Sequence, residues 1–283
     1  MRIVVKIGTS TLAHPGGRLN IRHTEALVKV WSDIKNAGHE LIIVSSGATG
    51  LGVGKLQISR PKDMVTKQAA AVGQCELMYT YDKLFAEYSH TVAQLLVTWE
   101  DFDHPHRLNN LQNTLERLIQ LGAVPVINEN DPISTEEYSL GDNDRLGALI
   151  AKYTHADLLV LLSDIDGLYT ADPHTHPEAT LIHRVESVTP EIEQLGGGSN
   201  SGLGPGGMSA KLTAAKIATG AGVEVHEVNK LLKSYEQMST MMKRMGKMGG
   251  LGSLASRFGK NSPFGGGSFG NNPFGGFNNK FPF

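Results

Sequence analysis

Residues 157–162, DLLVLL, are apolar without alternation after the first residue. A strand with one wet face alternates apolar and polar side chains. An unbroken apolar run suits a strand buried on both faces, as in a parallel sheet. Apolar strand-like runs also occur at 2–6, 40–45, 90–98 and 124–127. Between them lie segments of helical spacing. Asn20 is placed to cap a helix with apolar positions Leu27, Val28, Trp31 and Ile34, and Gly38 to end it. Further helices are expected from Pro61 to about Tyr88, about 107–121, about 144–153 and about 208–219, with a last strand starting at 223–225. Strands alternating with helices predict an α/β fold with a mostly parallel sheet. In such sheets ligands sit beyond the carboxyl ends of the strands.

The loops at those ends carry the chemistry. After the 124–127 run come Asn128, Glu129, Asn130 and Asp131, then Gly141, Asp142, Asn143 and Asp144. Acids and amides at a strand end suit a cationic ligand, an amine or a metal. They equally suit a solvated acidic loop with an Asp/Asn helix cap. Lys6-Ile7-Gly8-Thr9-Ser10 places a lysine at a strand end and a glycine in the turn, and Ser46-Gly47-Ala48 follows the second strand. Free backbone N–H groups in such turns can cradle phosphate oxygens. The alternative is a plain turn with a solvated lysine.

GLGPGGMSAK, residues 202–211, runs from a glycine-rich loop into a helix with Lys211 in its first turn. That arrangement favours anionic phosphate, and otherwise reads as a flexible surface loop. Two apparent motifs fail. Gly202, Gly204 and Gly207 fit G-x-G-x-x-G but follow a polar loop rather than a strand. Gly54-Lys55 resembles the end of a Walker A loop, but Leu56 and Thr49 occupy positions that need Ser/Thr and Gly.

A chain of 283 residues can bury one large core or two. No apolar run approaches the roughly 20 residues of a membrane span, and the early strand argues against a leader peptide. Cys75 is the only cysteine, so an internal disulfide is excluded and a reducing cytoplasm is the natural compartment. The net charge of −2 conceals an asymmetry. Eight basic residues against Glu227 and Glu236 make the part from His226 onward +6, leaving −8 on residues 1–225. An acidic body with a basic end implies two parts with different roles.

In order along the chain stand VVKIGTS, IIVSSGATG, PKDMVTKQAAAVGQ, LLVTWEDF, VPVINENDPIS, GDNDRLGALIA, LLVLLSDIDGLYTADP and SGLGPGGMSAKLTAAKIA. Together they resemble the amino-acid-kinase family over about residues 1–225. INEND followed by GDND resembles its branch that acts on glutamate. The resemblance implies a three-layer sandwich around the mostly parallel sheet. It implies a cytoplasmic transferase of proline biosynthesis that uses ATP to phosphorylate the L-glutamate γ-carboxylate to glutamyl 5-phosphate. A carboxylate acceptor is already ionised, so no general base is required, and catalysis is positioning and charge neutralisation.

Carried over by position, Lys6 and Lys211 flank the transferred phosphoryl group and Asp144 orients both. Ser46, Asp131 and Asn143 bind glutamate, with Asp131 facing its ammonium. Ser163, Asp164, Pro205, Gly206, Gly207, Met208, Ser209, Ala210 and Lys211 contact ATP, as does Lys6. Mg²⁺ rides on the ATP phosphates, with no metal ligand assigned on the chain. Other carboxylate or carbamate kinases of the superfamily remain the alternative enzyme. Pro205 and Ala210 stand where the family commonly has threonine, and Asn110-Leu111-Gln112-Asn113 departs from its usual NARNT.

After residue 225 the resemblance changes. The kinase family's closing turn, helix and strand are not found, nor is the C-terminal PUA domain of many members. Residues 226–247 instead read as one basic amphipathic helix, with Val228, Leu231, Leu232, Tyr235, Met238, Met242 and Met245 on a stripe. Residues 248–283 are Gly/Asn/Phe-rich, a composition expected to be disordered. VEVHEVNKLLKSYEQMSTMMKRMGKMGG, within about residues 223–260, resembles the end of the M domain of the signal-recognition-particle GTPase. That domain's Arg-rich RNA-binding stretch is absent, so binding of RNA or signal sequences is not implied. The expectation is a kinase domain over 1–225, joined near 222–225 to a foreign helix and tail. A kinase scaffold impaired by the truncation, with an interaction helix, is the non-enzymatic alternative. Homo-oligomerisation is left open.

Overall fold

The computed structural model describes residues 1–14, 16–58, 64–134, 142–163, 165, 167–196, 207–223 and 225. The expected helix at 226–247, the tail at 248–283 and the Pro61 start lie outside them. The elements run in order β1 (Arg2–Ile7), α1 (Thr9–Leu12), β2 (Ala13–His14), β3 (Arg18–Leu19), α2 (Ile21–Asn36), β4 (Glu40–Ser45), α3 (Ala48–Lys55) and α4 (Met64–Ala86). They continue with β5 (Val92–Val97), α5 (Glu100–Asp103), α6 (Pro105–Gln120), β6 (Val124–Glu129), α7 (Asn143–Tyr153), β7 (Leu158–Leu162), α8 (Pro190–Leu195) and α9 (Met208–Gly220).

Five strands pair in the order β5-β6-β4-β1-β7, every neighbour parallel. Helices cover both faces, as the apolar runs require. Ile3, Val5, Ile7, Leu41, Ile43, Val124, Val126, Leu158 and Val160 pack with Trp31 of α2, Leu51 of α3 and Leu77, Tyr81 and Phe85 of α4. Val4, Ile42, Val44, Ile127 and Leu159 pack with Leu115 of α6, Leu146 and Ile150 of α7 and Ala214 and Ala218 of α9. This is a three-layer sandwich. The chain passes from β6 to β7 through α7, crossing over β4 and β1, and α7 packs on all four of these strands. The neighbours of β1 are thus reached from opposite directions of chain travel, which opens a crevice at its carboxyl end.

Local chemistry agrees with these boundaries. The Asn20 side chain accepts from the His23 N–H at 3.2 Å and caps α2. Gly38, at φ +87°, leaves the helix through the left-handed region. The Asp142 side chain accepts from the Asp144 N–H and caps α7.

The glycines at 50, 52 and 54 lie in α3. At Gly52 the reason is packing. A Cβ on Gly52 would run into the backbone carbonyl of Ala69, and one on Gly73 into that of Ala48, so α3 and α4 touch backbone to backbone. The strand expected from 223 is not formed among the described residues, although Val223 is buried and Val225 packs on the same core. Helix α8, capped by Thr189 with Pro190 in its first turn, was not anticipated. No described helix is long and apolar enough to cross a membrane.

Gly52→Ala is expected to destabilise the fold by about 1–3 kcal/mol, because a backbone carbonyl cannot yield as a side chain can. A urea midpoint equal to that of the parent protein would contradict this packing account.

Candidate functional site

Side chains alternate along β1, so Lys6 shares the face of Val4, the face covered by α7 and α9. Gly147 of α7 lies against its stem: a Cβ there would sit 3.3 Å from the Lys6 Cβ. This close approach brings the first turn of α7 over the end of β1. There the Asp144 carboxylate lies 2.6 Å from Lys6 Nζ and accepts a hydrogen bond from Lys211 Nζ at 2.8 Å. Asp144 is 0% exposed and Lys6 5%. An unpaired carboxylate buried so deeply would cost several kcal/mol, and the two ammonium groups offset that cost. Asp142 Oδ1 stands 4.0 Å from Lys6 Nζ, so its capping carboxylate also faces the pair.

Two features mark this cluster as more than a staple. Asp144 is shared by Lys6 and Lys211, and the second carboxylate, Asp142, reaches only Lys6 and only at 4.0 Å, so the Lys211 charge is the less compensated of the two. Lys211 also occupies the first turn of α9, the positive end of the helix dipole, where a lysine is electrostatically disfavoured. The Gly207 cap of α9 makes no side-chain hydrogen bond, so no capping side chain occupies the start of that turn. The combination suits an anion with dispersed charge, such as a phosphoryl group.

A second cluster joins it from the opposite face. Asn143, next to Asp144, directs its Nδ2 to the Ser45 carbonyl at 3.2 Å, Ser46 Oγ at 2.8 Å and Asn128 Oδ1 at 2.9 Å. Asn128, near the end of β6, donates in turn to Gln74 Oε1 of α4 at 3.1 Å. Asp131 lies just beyond β6 and is partly buried. Burial first, then the charge of Glu129, pushes its carboxyl up to about 6, against the pull of Lys67 and a hydrogen bond with Thr49. A partly buried carboxylate so disfavoured is poised for a cationic ligand.

The structure therefore brings Lys6, Asp144 and Lys211 into one cluster and Ser46 and Asn143 into another beside it. Ser163 follows the end of β7, and Gly207, Met208, Ser209 and Ala210 form the cap and first turn of α9. Asp164, Pro205 and Gly206 lie outside the described residues. Glu129 and Asp142, unassigned from sequence, are explained locally: Glu129 accepts from Ser134 Oγ at 2.6 Å, and Asp142 caps α7. Sequence reasoning missed Thr49, Lys67 and Gln74, and named Asn128 without giving it a role. Lys67 and Gln74 lie two turns apart and so share one face of α4. Two polar residues at that spacing in an alanine-rich helix were the available signal.

Comparison with known proteins bears on this geometry. A model described as the amino acid kinase family matches residues 1–229. A second, described as a signal peptide binding domain, matches residues 208–260 and overlaps it. The chain is 48% identical over 230 residues to a glutamate 5-kinase of Clostridium perfringens, covering 79% of this chain and 86% of that protein. It is 51% identical over 225 residues to the glutamate 5-kinase of Carboxydothermus hydrogenoformans, covering 78% of this chain and 60% of that one. Among solved structures, the isopentenyl phosphate kinase of T. acidophilum superposes with a TM-score of 0.54 at 17% identity, over 89% of this chain and 97% of that one. Aspartate kinase from Synechocystis gives 0.54 at 21% identity, over 80% and 37% respectively. These two establish the fold alone.

The raised Asp131 pKa has a stability consequence. The folded state holds this proton more tightly than the unfolded chain, so ionisation costs stability as pH rises from about 4 to about 6, and the full penalty remains above that. Asp131→Asn is expected to stabilise the ligand-free protein at pH 7.5 by on the order of 2 kcal/mol, with the gain vanishing below about pH 4. Denaturant titrations at the two pH values check this, and a pH-independent difference would refute the assignment.

Proposed function

The chain belongs to the amino acid kinase family, and on that premise we propose that it transfers the γ-phosphoryl group of ATP to the γ-carboxylate of L-glutamate, making glutamyl 5-phosphate for proline biosynthesis. The observation that carries the reading is the Asp144 carboxylate held between Lys6 and Lys211. It sits one residue from the amide that gathers Ser46 and Asn128. The glutamate 5-kinase relatives supply the identity of the acceptor.

In this reading the glutamate ammonium meets Asp131 and Asn143 Oδ1, and Ser46 lines the same wall. The γ-carboxylate is then directed at the lysine pair. As negative charge spreads over the phosphoryl oxygens in flight, Lys6 and Lys211 neutralise it from either side. Asp144 keeps the two ammonium groups apart in fixed positions, so little reorganisation accompanies the reaction. ATP is bound by Ser163 and by the start of α9 through Lys211; Asp164, Pro205 and Gly206 are assigned to it from the sequence alone. Both oxygens of Asp144 face lysines, so it is not free to ligate a metal. Mg²⁺ is carried by the ATP phosphates, where it supplies further charge neutralisation.

The domain division follows the same logic. A kinase domain over residues 1–225 passes to a segment of different ancestry, and both family models claim residues 208–229, the span that contains the junction. This handover favours one second reading, a kinase scaffold that does not turn over and whose basic helix serves in interaction. Cytoplasmic location accords with a biosynthetic kinase.

ATP turnover with glutamate, the acyl phosphate trapped as a hydroxamate, tests the reading. Product is expected; its absence from a chain folded by circular dichroism would favour the scaffold. Lys211→Ala should lower kcat by roughly a hundredfold or more, and near-normal turnover would defeat the phosphate assignment. Asp131→Ala should raise the KM for glutamate far more than that for ATP, and equal effects would contradict its ammonium role.

A further inference from the structure

We propose that Gln74 is a positioning residue for amino-acid recognition: it holds the buried amide of Asn128, and through it Asn143, in the one orientation that offers an oxygen acceptor to the substrate ammonium. The inference rests on the glutamate-kinase reading and adds a residue to it.

Two backbone groups show which end of each amide in the relay is oxygen and which is nitrogen. The Glu129 N–H can only donate, and it meets Asn128 Oδ1 at 2.9 Å. The Ser45 carbonyl can only accept, and it meets Asn143 Nδ2 at 3.2 Å. The amide of Asn128 therefore turns its Nδ2 to Gln74 Oε1 at 3.1 Å, and its Oδ1 also receives Asn143 Nδ2 at 2.9 Å. With both N–H of Nδ2 turned toward three acceptors within reach, the group Asn143 has left for a ligand is Oδ1. An oxygen acceptor selects a hydrogen-bond donor from the ligand, and an α-ammonium is such a donor.

The state of Gln74 itself argues that this bond is why an amide stands here. Gln74 is 7% exposed, and its Nε2 is buried with no hydrogen-bond partner among the described residues. A buried donor left unpaired is unfavourable, and an apolar residue such as Met would fill similar space without that penalty. The position retains the penalty and gains the acceptor that Asn128 requires. Gln74 also lies two helical turns from Lys67, which faces Asp131, so one face of α4 addresses both halves of the recognition site.

Steady-state kinetics on the full chain with Gln74→Met and Gln74→Glu test the proposal. Gln74→Met, which removes the acceptor, is expected to raise the glutamate KM about tenfold while kcat and the ATP KM stay within about twofold. Gln74→Glu, which keeps an acceptor oxygen, is expected to bring the glutamate KM back to within about threefold of the parent. The proposal is overturned if folded Gln74→Met keeps the parent's glutamate KM, if its ATP KM rises equally, or if Gln74→Glu is as impaired as Gln74→Met. A Gln74→Met chain that does not fold also counts against it, since a core role would then suffice. If the parent chain forms no hydroxamate, the kinase reading fails on its own account. The same comparison is then made on glutamate affinity by calorimetry, and a parent chain that binds no glutamate overturns this inference too.

Discussion

A carboxylate with no exposed surface, Asp144, lies between two lysines from elements far apart in the chain. Lys6 ends the central strand, Asp144 opens the crossover helix, and Lys211 opens a helix on the same face of the sheet. None of the three is stable in its place alone. The carboxylate needs cations to be buried, and Lys211 opposes the dipole of its own helix unless an anion meets it. The ion triad thus fixes how the first turns of α7 and α9 sit over β1. Gly147 permits the approach by leaving room for the lysine stem.

Recognition on the other side of the strand ends uses different physics. There the groups are mostly neutral amides, Asn143, Asn128 and Gln74, linked in a chain whose ends are set by backbone groups. Amides hold direction without adding charge, so they can stand next to the lysine cluster without competing for it. Asp131, also on this side, is kept electrostatically uncomfortable by burial and by Glu129. A site that holds a carboxylate ready for a cation gives up folding stability in the ligand-free state, which is the usual cost of preorganisation.

Much of the scaffold was legible because a parallel sheet covered on both faces leaves plain marks. Strands β1, β4, β6 and β7 are apolar runs, and α2 carries its cap at Asn20 and its stop at Gly38. What escaped had a tertiary cause. The glycine-rich sequence of α3 does not look helical, because the purpose of Gly52, contact with the backbone of α4, exists only once the two helices meet. Lys67 and Gln74 read as ordinary polar positions of a helix, since nothing local says that α4 passes beside the end of β6. Val223 reads as the start of a strand, yet among the described residues it is a buried position without one.

The sequence by itself determined the alternation of strand and helix, the sheet's parallel character and the pieces of the site, since these depend on residue type and short-range order. It also disclosed a change of charge and composition near residue 225. Only the tertiary structure decided which polar residues face one another: that Asp144 serves two lysines, and that Gln74 reaches Asn128. Those pairings join residues from 54 to more than 130 positions apart, and no local rule of spacing reaches so far. They arise because side chains alternate across strands whose ends converge at one edge of the sheet, which only the strand order brings about.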